Sequence, residues 1–109
     1  MTLAATAPPP VYIERVDLHG VTPYTIASKD GVTVLLVHDG LDLDETAAML
    51  WIALGHHPSR AFELADALTR VDGCEACRKR PVATVVTLEG VDFRLCRSCG
   101  ADHRALTAA

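Results

Sequence analysis

The residues best equipped for chemistry in this chain are four cysteines in two pairs. Cys74 and Cys77 are two residues apart, as are Cys96 and Cys99, and eighteen residues separate the pairs. A two-residue spacer lets a tight turn aim both sulfurs at one point. Two such turns supply four thiolates to one tetrahedral ion, and this spacing matches a known zinc pattern. The predicted cofactor is therefore one structural zinc ion. With four protein ligands it has no position left for water, so metal catalysis is not expected.

Two other chemistries fit the cysteines less well. Iron sites of the rubredoxin type usually carry glycine after both pairs, whereas here Gly100 follows the second pair and Arg78 the first. Disulfides belong to oxidising compartments. The opening "MTLAATAPPP" has neither a basic start nor an apolar stretch of the secretory kind, so a cytoplasmic setting is expected. His103, four residues after Cys99, shares a helical face with it. It is expected to stay in solvent or to hydrogen-bond a thiolate, not to ligate the ion.

The pairs need an element that returns the chain to its start. Val82 to Leu88 and Val91 to Leu95 can pair as strands around Glu89-Gly90, setting Leu88 against Val91, Val86 against Phe93 and Thr84 against Leu95. "LCRSCGADHRA" then starts a short helix, with Gly100 easing the turn into it. This layout, "CEAC … LCRSCG" followed by a helix, resembles the treble-clef and zinc-ribbon groups of zinc fingers. The spacing is similar to GATA-type and DksA/TraR-type fingers, and the apolar hairpin to McsA-like ones. The resemblance covers residues 72–108 and implies Cys74, Cys77, Cys96 and Cys99 as ligands. The DNA-reading residues of GATA fingers and the long coiled coil of DksA have no counterpart in it.

The rest of the 109 residues must form a core. Half are apolar and the net charge is −4, as in a folded globular protein. Residues 1–10 read as a flexible proline-rich leader, 11–71 as a small α+β domain and 72–109 as the zinc module, joined through Val71-Asp72-Gly73. "VYIERVDLHG" reads as a strand of imperfect alternation. "YTIASKDGVTVLLVHDG" reads as a hairpin closed by the three-residue loop Lys29-Asp30-Gly31, its second strand central because Val34 to Val37 is apolar on both faces. Asp42 or Asp44 can cap a helix, and Asp42 with Glu45 fits a capping-box spacing. Ala47, Leu50, Trp51 and Leu54 form that helix's apolar stripe, widened by Met49 and Ile52, and Gly55 and Pro58 end it. Ser59 is placed as the cap of a second helix whose Ala61, Leu64, Ala65 and Leu68 share a face. The expected fold class is α+β: a hairpin-based sheet with two short helices, then the zinc module.

Charge narrows the partners. Residues 1–71 hold nine acids against four bases, and residues 72–109 hold six bases against five acids. That tail is nearly neutral, so any positive field is local. Arg78, Lys79, Arg80, Arg94, Arg97 and Arg104 are the candidates for contact with nucleic acid or an acidic partner surface. "IALGHHPSRAFELADAL" is a poor helix-turn-helix, because Trp51 stands where that motif wants a small residue and Glu63 and Asp66 would repel phosphate. No nucleophile–base pair, phosphate loop or apolar stretch of bilayer length is present, so no enzyme activity, small-molecule substrate or membrane span is expected. His19, His38, His56 and His57 carry no catalytic pattern. The expected function is a noncatalytic, zinc-stabilised binding or adaptor protein recognising another protein. A transcription-associated nucleic-acid binder using the basic edge is the alternative, and a structural subunit of a larger assembly is the third reading.

Overall fold

The computed structural model describes residues 10–29, 31–69, 73–88 and 91–108. Residues 1–9 of the expected leader, Asp30, the Val71-Asp72 part of the join and the Glu89-Gly90 turn lie outside the described residues. The elements are β1 (Val11–Val16), β2 (Tyr24–Lys29), β3 (Val32–His38), α1 (Leu43–Leu54), α2 (Pro58–Leu68), β4 (Thr84–Leu88), β5 (Val91–Leu95) and α3 (Arg97–Ala108). All five strands form one mixed sheet, in the order β2-β3-β1-β4-β5. The fold is α+β, as the sequence predicts.

Strand β1 lies at the centre, parallel to β3 and antiparallel to β4. Both its faces are covered, with Tyr12 and Ile13 each fully buried, which explains why its alternation is imperfect. The chain leaves β1, passes the end of β3's position and returns as β2, so β3 inserts between them. His38 pins this crossover. Its Nδ1 accepts the Leu18 N–H at 3.1 Å, while its own N–H donates to the Pro23 carbonyl at 2.9 Å. Lys29 pairs with Val32, so the β2–β3 loop spans two residues instead of the expected three. Gly31 there has φ 78°, the left-handed conformation that glycine adopts without strain.

The two faces of the sheet bury different partners. Ile13, Leu35, Val37 and Val85 point to one side, where Leu50 of α1 and Ala61, Leu64, Ala65 and Leu68 of α2 close over them. Tyr12, Val86 and Leu95 point to the other, where they meet Cys74 and Cys96. The hairpin register is the one read from the sequence, with Leu88 opposite Val91, Val86 opposite Phe93 and Thr84 opposite Leu95.

Helix α1 starts with the expected capping box, in which Glu45 N–H donates to Asp42 at 2.8 Å and Asp42 N–H to Glu45 at 3.0 Å. It ends at Gly55 with φ 70°. Two expectations for the helices need correction. Trp51 and Ile52 do not join the buried stripe but are 55% and 60% exposed. A helix turns about 100° per residue, so with Leu50 aimed at the sheet its two successors swing outward. The cap of α2 is His57 and not Ser59: His57 Nδ1 accepts the Ser59 N–H at 3.3 Å, and Pro58 occupies the first turn, where its missing N–H costs nothing.

Candidate metal centre

The structure brings the four predicted ligands together. The sulfurs of Cys74, Cys77, Cys96 and Cys99 all lie within 4.8 Å of one another, and those of Cys77 and Cys96 are 3.9 Å apart. A tetrahedral ion with metal–sulfur bonds near 2.3 Å needs sulfur–sulfur edges of about 3.8 Å. The cluster could hold one metal ion.

Each pair is shaped by its own backbone. In the first, Cys77 N–H points to the Cys74 sulfur at 3.5 Å, and Arg78 N–H donates to the Cys74 carbonyl at 3.0 Å. Arg78 completes this turn at φ 59°, a conformation uncommon for a side chain other than glycine or asparagine. Glu75 fastens the turn to the edge of the sheet: its N–H donates to the Arg94 carbonyl at 2.7 Å, and its carboxylate accepts the Arg94 N–H at 2.6 Å.

The second pair straddles the start of α3. Cys99 N–H points to the Cys96 sulfur at 3.4 Å, and Gly100 N–H donates to the Cys96 carbonyl at 2.8 Å. Gly100 does not serve the turn, as expected from the sequence, but sits inside the helix. Its hydrogen faces Thr84 on β4, and a β-carbon there would stand 2.7 Å from Thr84 Oγ1. Glycine is needed for close helix–strand approach.

The thiols are electrostatically uneven. Burial pushes Cys74 up, but N–H groups of Cys77, Cys96 and Ala76 directed at its sulfur hold it down to about 6. Cys99 is pushed up to about 12 by its hydrogen bond to Cys96, by burial and by the neighbouring sulfurs. The four sulfurs are thus close enough to perturb one another.

His103 does more than stand in solvent. Its Nδ1 lies 2.7 Å from the buried Tyr12 hydroxyl, which ties α3 to the central strand. The six basic candidates do not form one field. Arg94 pairs with Glu75 at 3.7 Å, and Arg104 pairs with Glu14 of β1. Arg78, Lys79, Arg80 and Arg97 are exposed around the cysteine turns.

Sequence reasoning missed a second clamp. Arg60 at the start of α2 makes two bonds to Asp92 of β5, at 2.5 and 2.7 Å, and Thr87 Oγ1 donates to the same carboxylate at 2.7 Å. Burial alone would push Asp92 up, but the Arg60 and Thr87 bonds hold it below the usual carboxylate range. Burial, then Arg60, lowers the nearby His56. No local signal links residues 32 apart in sequence. Asp17, His38 and Asp39 also gather ligand atoms within 4.8 Å, but the His38 Nδ1 there already accepts from Leu18 and serves the crossover. No helix among the described residues is long and apolar enough to cross a membrane. No protein-family model, curated protein or solved structure matches the chain.

Proposed function

We propose that the protein is a noncatalytic adaptor that recognises another protein, with one zinc ion, held by Cys74, Cys77, Cys96 and Cys99, as a structural element of treble-clef type. The donor set supports zinc: four thiolates suit it, fill its coordination shell and leave no site for a reacting water. The start of α3 between Cys96 and Cys99 supports the treble-clef assignment. The observation that carries the adaptor reading is the exposure of large apolar side chains, above all Trp51, Ile52 and Phe62 on the two helices. Apolar patches of this kind mark interaction surfaces.

Affinity purification of the tagged chain from its host tests the reading. A stoichiometric protein partner retained at about 1 M salt, where screening confines charge attraction to about 3 Å, is the expected result. Elemental analysis should find one zinc per chain, and iron in its place would overturn the metal assignment. Recovery of no protein partner would overturn the adaptor.

The exposed run Arg78, Lys79 and Arg80 favours a second reading, a transcription-associated nucleic-acid binder. It is the weaker one, because Arg94 and Arg104 are neutralised by acids of the same chain. It requires a gel shift at low salt that fades steeply as salt rises and is weakened by reversing charge at residues 78–80.

A further inference from the structure

The outer seam of α1 and α2 is an open groove of about 240 Å³. Ala47, Ala48 and Trp51 line it from α1, and Ala61 and Phe62 from α2. The lining thus combines three small side chains with two large aromatic ones, Trp51 55% and Phe62 45% exposed. Leaving such rings in water forgoes burial that the fold achieves elsewhere, and aromatic anchors of this type dominate binding at protein interfaces.

We propose that this groove docks a cationic amphipathic helix of a partner protein, an inference that rests on the adaptor reading. Three observations select that occupant. The lining is apolar apart from Asp44, so an extended peptide would lose water from its backbone N–H and C=O groups and find no partners. A helix satisfies its own backbone and can lie on an apolar seam. Length agrees: the lining runs from Asp44 to Trp51 on α1, about 10 Å at 1.5 Å per residue, which matches two turns of a bound helix. Charge gives the sign. Asp44, Glu45 and Glu63 are exposed on the two helices, whereas Arg60, their one base, is held by Asp92. Of these acids Asp44 lines the groove, so a lysine or arginine flanking the apolar stripe of the incoming helix complements it, and the net negative charge of the two helices favours the same sign. The aromatic contacts supply affinity, and the charges supply selectivity and encounter rate.

Trp51 is the sole tryptophan of the chain, so its emission reports the groove directly. The probe is a synthetic helical peptide with leucine at i, i+3, i+4 and i+7 and lysine on its flanks, titrated into the full zinc-loaded chain. A matched peptide with glutamate on its flanks is the control. The expected result is a saturable blue shift with the lysine peptide and binding about tenfold weaker with the glutamate peptide. Phe62→Ala and Asp44→Asn, both at exposed positions lining the groove, should each weaken the lysine peptide about tenfold while leaving the unfolding midpoint near that of the parent.

Absence of a saturable shift, or equal binding of both peptides, overturns the proposal. Emission that changes with protein concentration alone would assign the groove to a second copy. A red shift on replacing Pro8 and Pro9 by serine would assign it to the chain's own leader. Either result also overturns the proposal. A host partner that stays bound to the Phe62→Ala chain overturns the groove and leaves the adaptor reading intact. Failure to capture any partner overturns the adaptor reading, and this one with it.

Discussion

Gly100→Ala is expected to destabilise the protein, against the ordinary trend for a glycine inside a helix. Helical propensity favours alanine by about 1 kcal/mol. The opposing effect is steric. The new β-carbon would lie 2.7 Å from Thr84 Oγ1, 2.9 Å from Thr84 Cβ and 3.2 Å from Thr84 Cγ2. Thr84 is 1% exposed and cannot swing into solvent. It is β-branched, so few rotamers are open to it. Its strand is held on both sides, by Glu14 of β1 and Leu95 of β5. Overpacking of this kind costs about 1–3 kcal/mol. The immobility of Thr84 places this case in the upper half of that range, so the net loss is about 1–2 kcal/mol.

Thermal unfolding at fixed free zinc reads the effect, because metal binding would otherwise shift the midpoint by mass action. The loss corresponds to a fall of roughly 5–15 °C for a domain of this size. Zinc affinity should fall as well, since α3 must move away from β4 and Cys99 lies one residue before the new side chain. Adding Thr84→Ala removes Oγ1 and Cγ2 and should recover part of the loss, giving a coupling of about 1 kcal/mol in a double-mutant cycle. A Gly100→Ala chain as stable as the parent, or more so, would refute the close packing of α3 on β4.

Other perturbations probe the remaining contacts. Asp92→Asn should cost about 1 kcal/mol at neutral pH, since it breaks a largely buried two-point pair with Arg60. The folded state depresses the Asp92 pKa, so this stabilisation is complete above the unfolded value of about 3.9 and is lost as pH falls through the lower folded value. Urea unfolding should therefore show the gap between parent and variant closing below about pH 4. Thr46→Val should stabilise by about 1 kcal/mol, because the Thr46 hydroxyl is fully buried with no hydrogen-bond partner among the described residues. Chemical denaturation decides it. Zinc affinity should fall steadily as pH drops, because protons compete with the ion for all four thiolates, and chelator competition at several pH values measures it.

The parts of the fold legible in the sequence are those written in short-range spacing. The cysteine pairs, the Asp42–Glu45 capping box, the face shared by Ala61, Leu64, Ala65 and Leu68, and the Leu88–Val91 register all follow from residues close in the chain. What was hidden depends on distant partners. Periodicity cannot tell which neighbours β1 takes, because burial on both faces erases its alternation. The outward turn of Trp51 depends on which side of α1 meets the sheet, and alanine and tryptophan fit either side of a short apolar stripe. His57 as a cap gave no signal beside Ser59, the residue type that usually does this work. The Tyr12–His103 bond crosses 91 positions, so the role of His103 emerged only once α3 lay over β1.

A metal held by the four cysteines would support the two faces of the sheet to different degrees. The face under α1 and α2 is closed by leucine, valine and alanine, which need no ion. The opposite face has Tyr12, Val86 and Leu95 covered by Cys74 and Cys96. Among the described residues here, α3 is fastened by the Tyr12–His103 bond, the Glu14–Arg104 pair and the Gly100–Thr84 approach. A metal held by the cysteine cluster would add a further tie, joining the first turn of α3 to the turn before β4. Chelation should then free α3 before the rest of the fold. Hydrogen exchange on the chelated chain should show α3 and the Cys74–Cys77 turn losing protection while α1 and α2 keep theirs. The groove between α1 and α2 would survive, because those helices cover the face opposite the cysteine cluster. Simultaneous loss of protection in all three helices would refute this division and make the metal a condition for the whole fold.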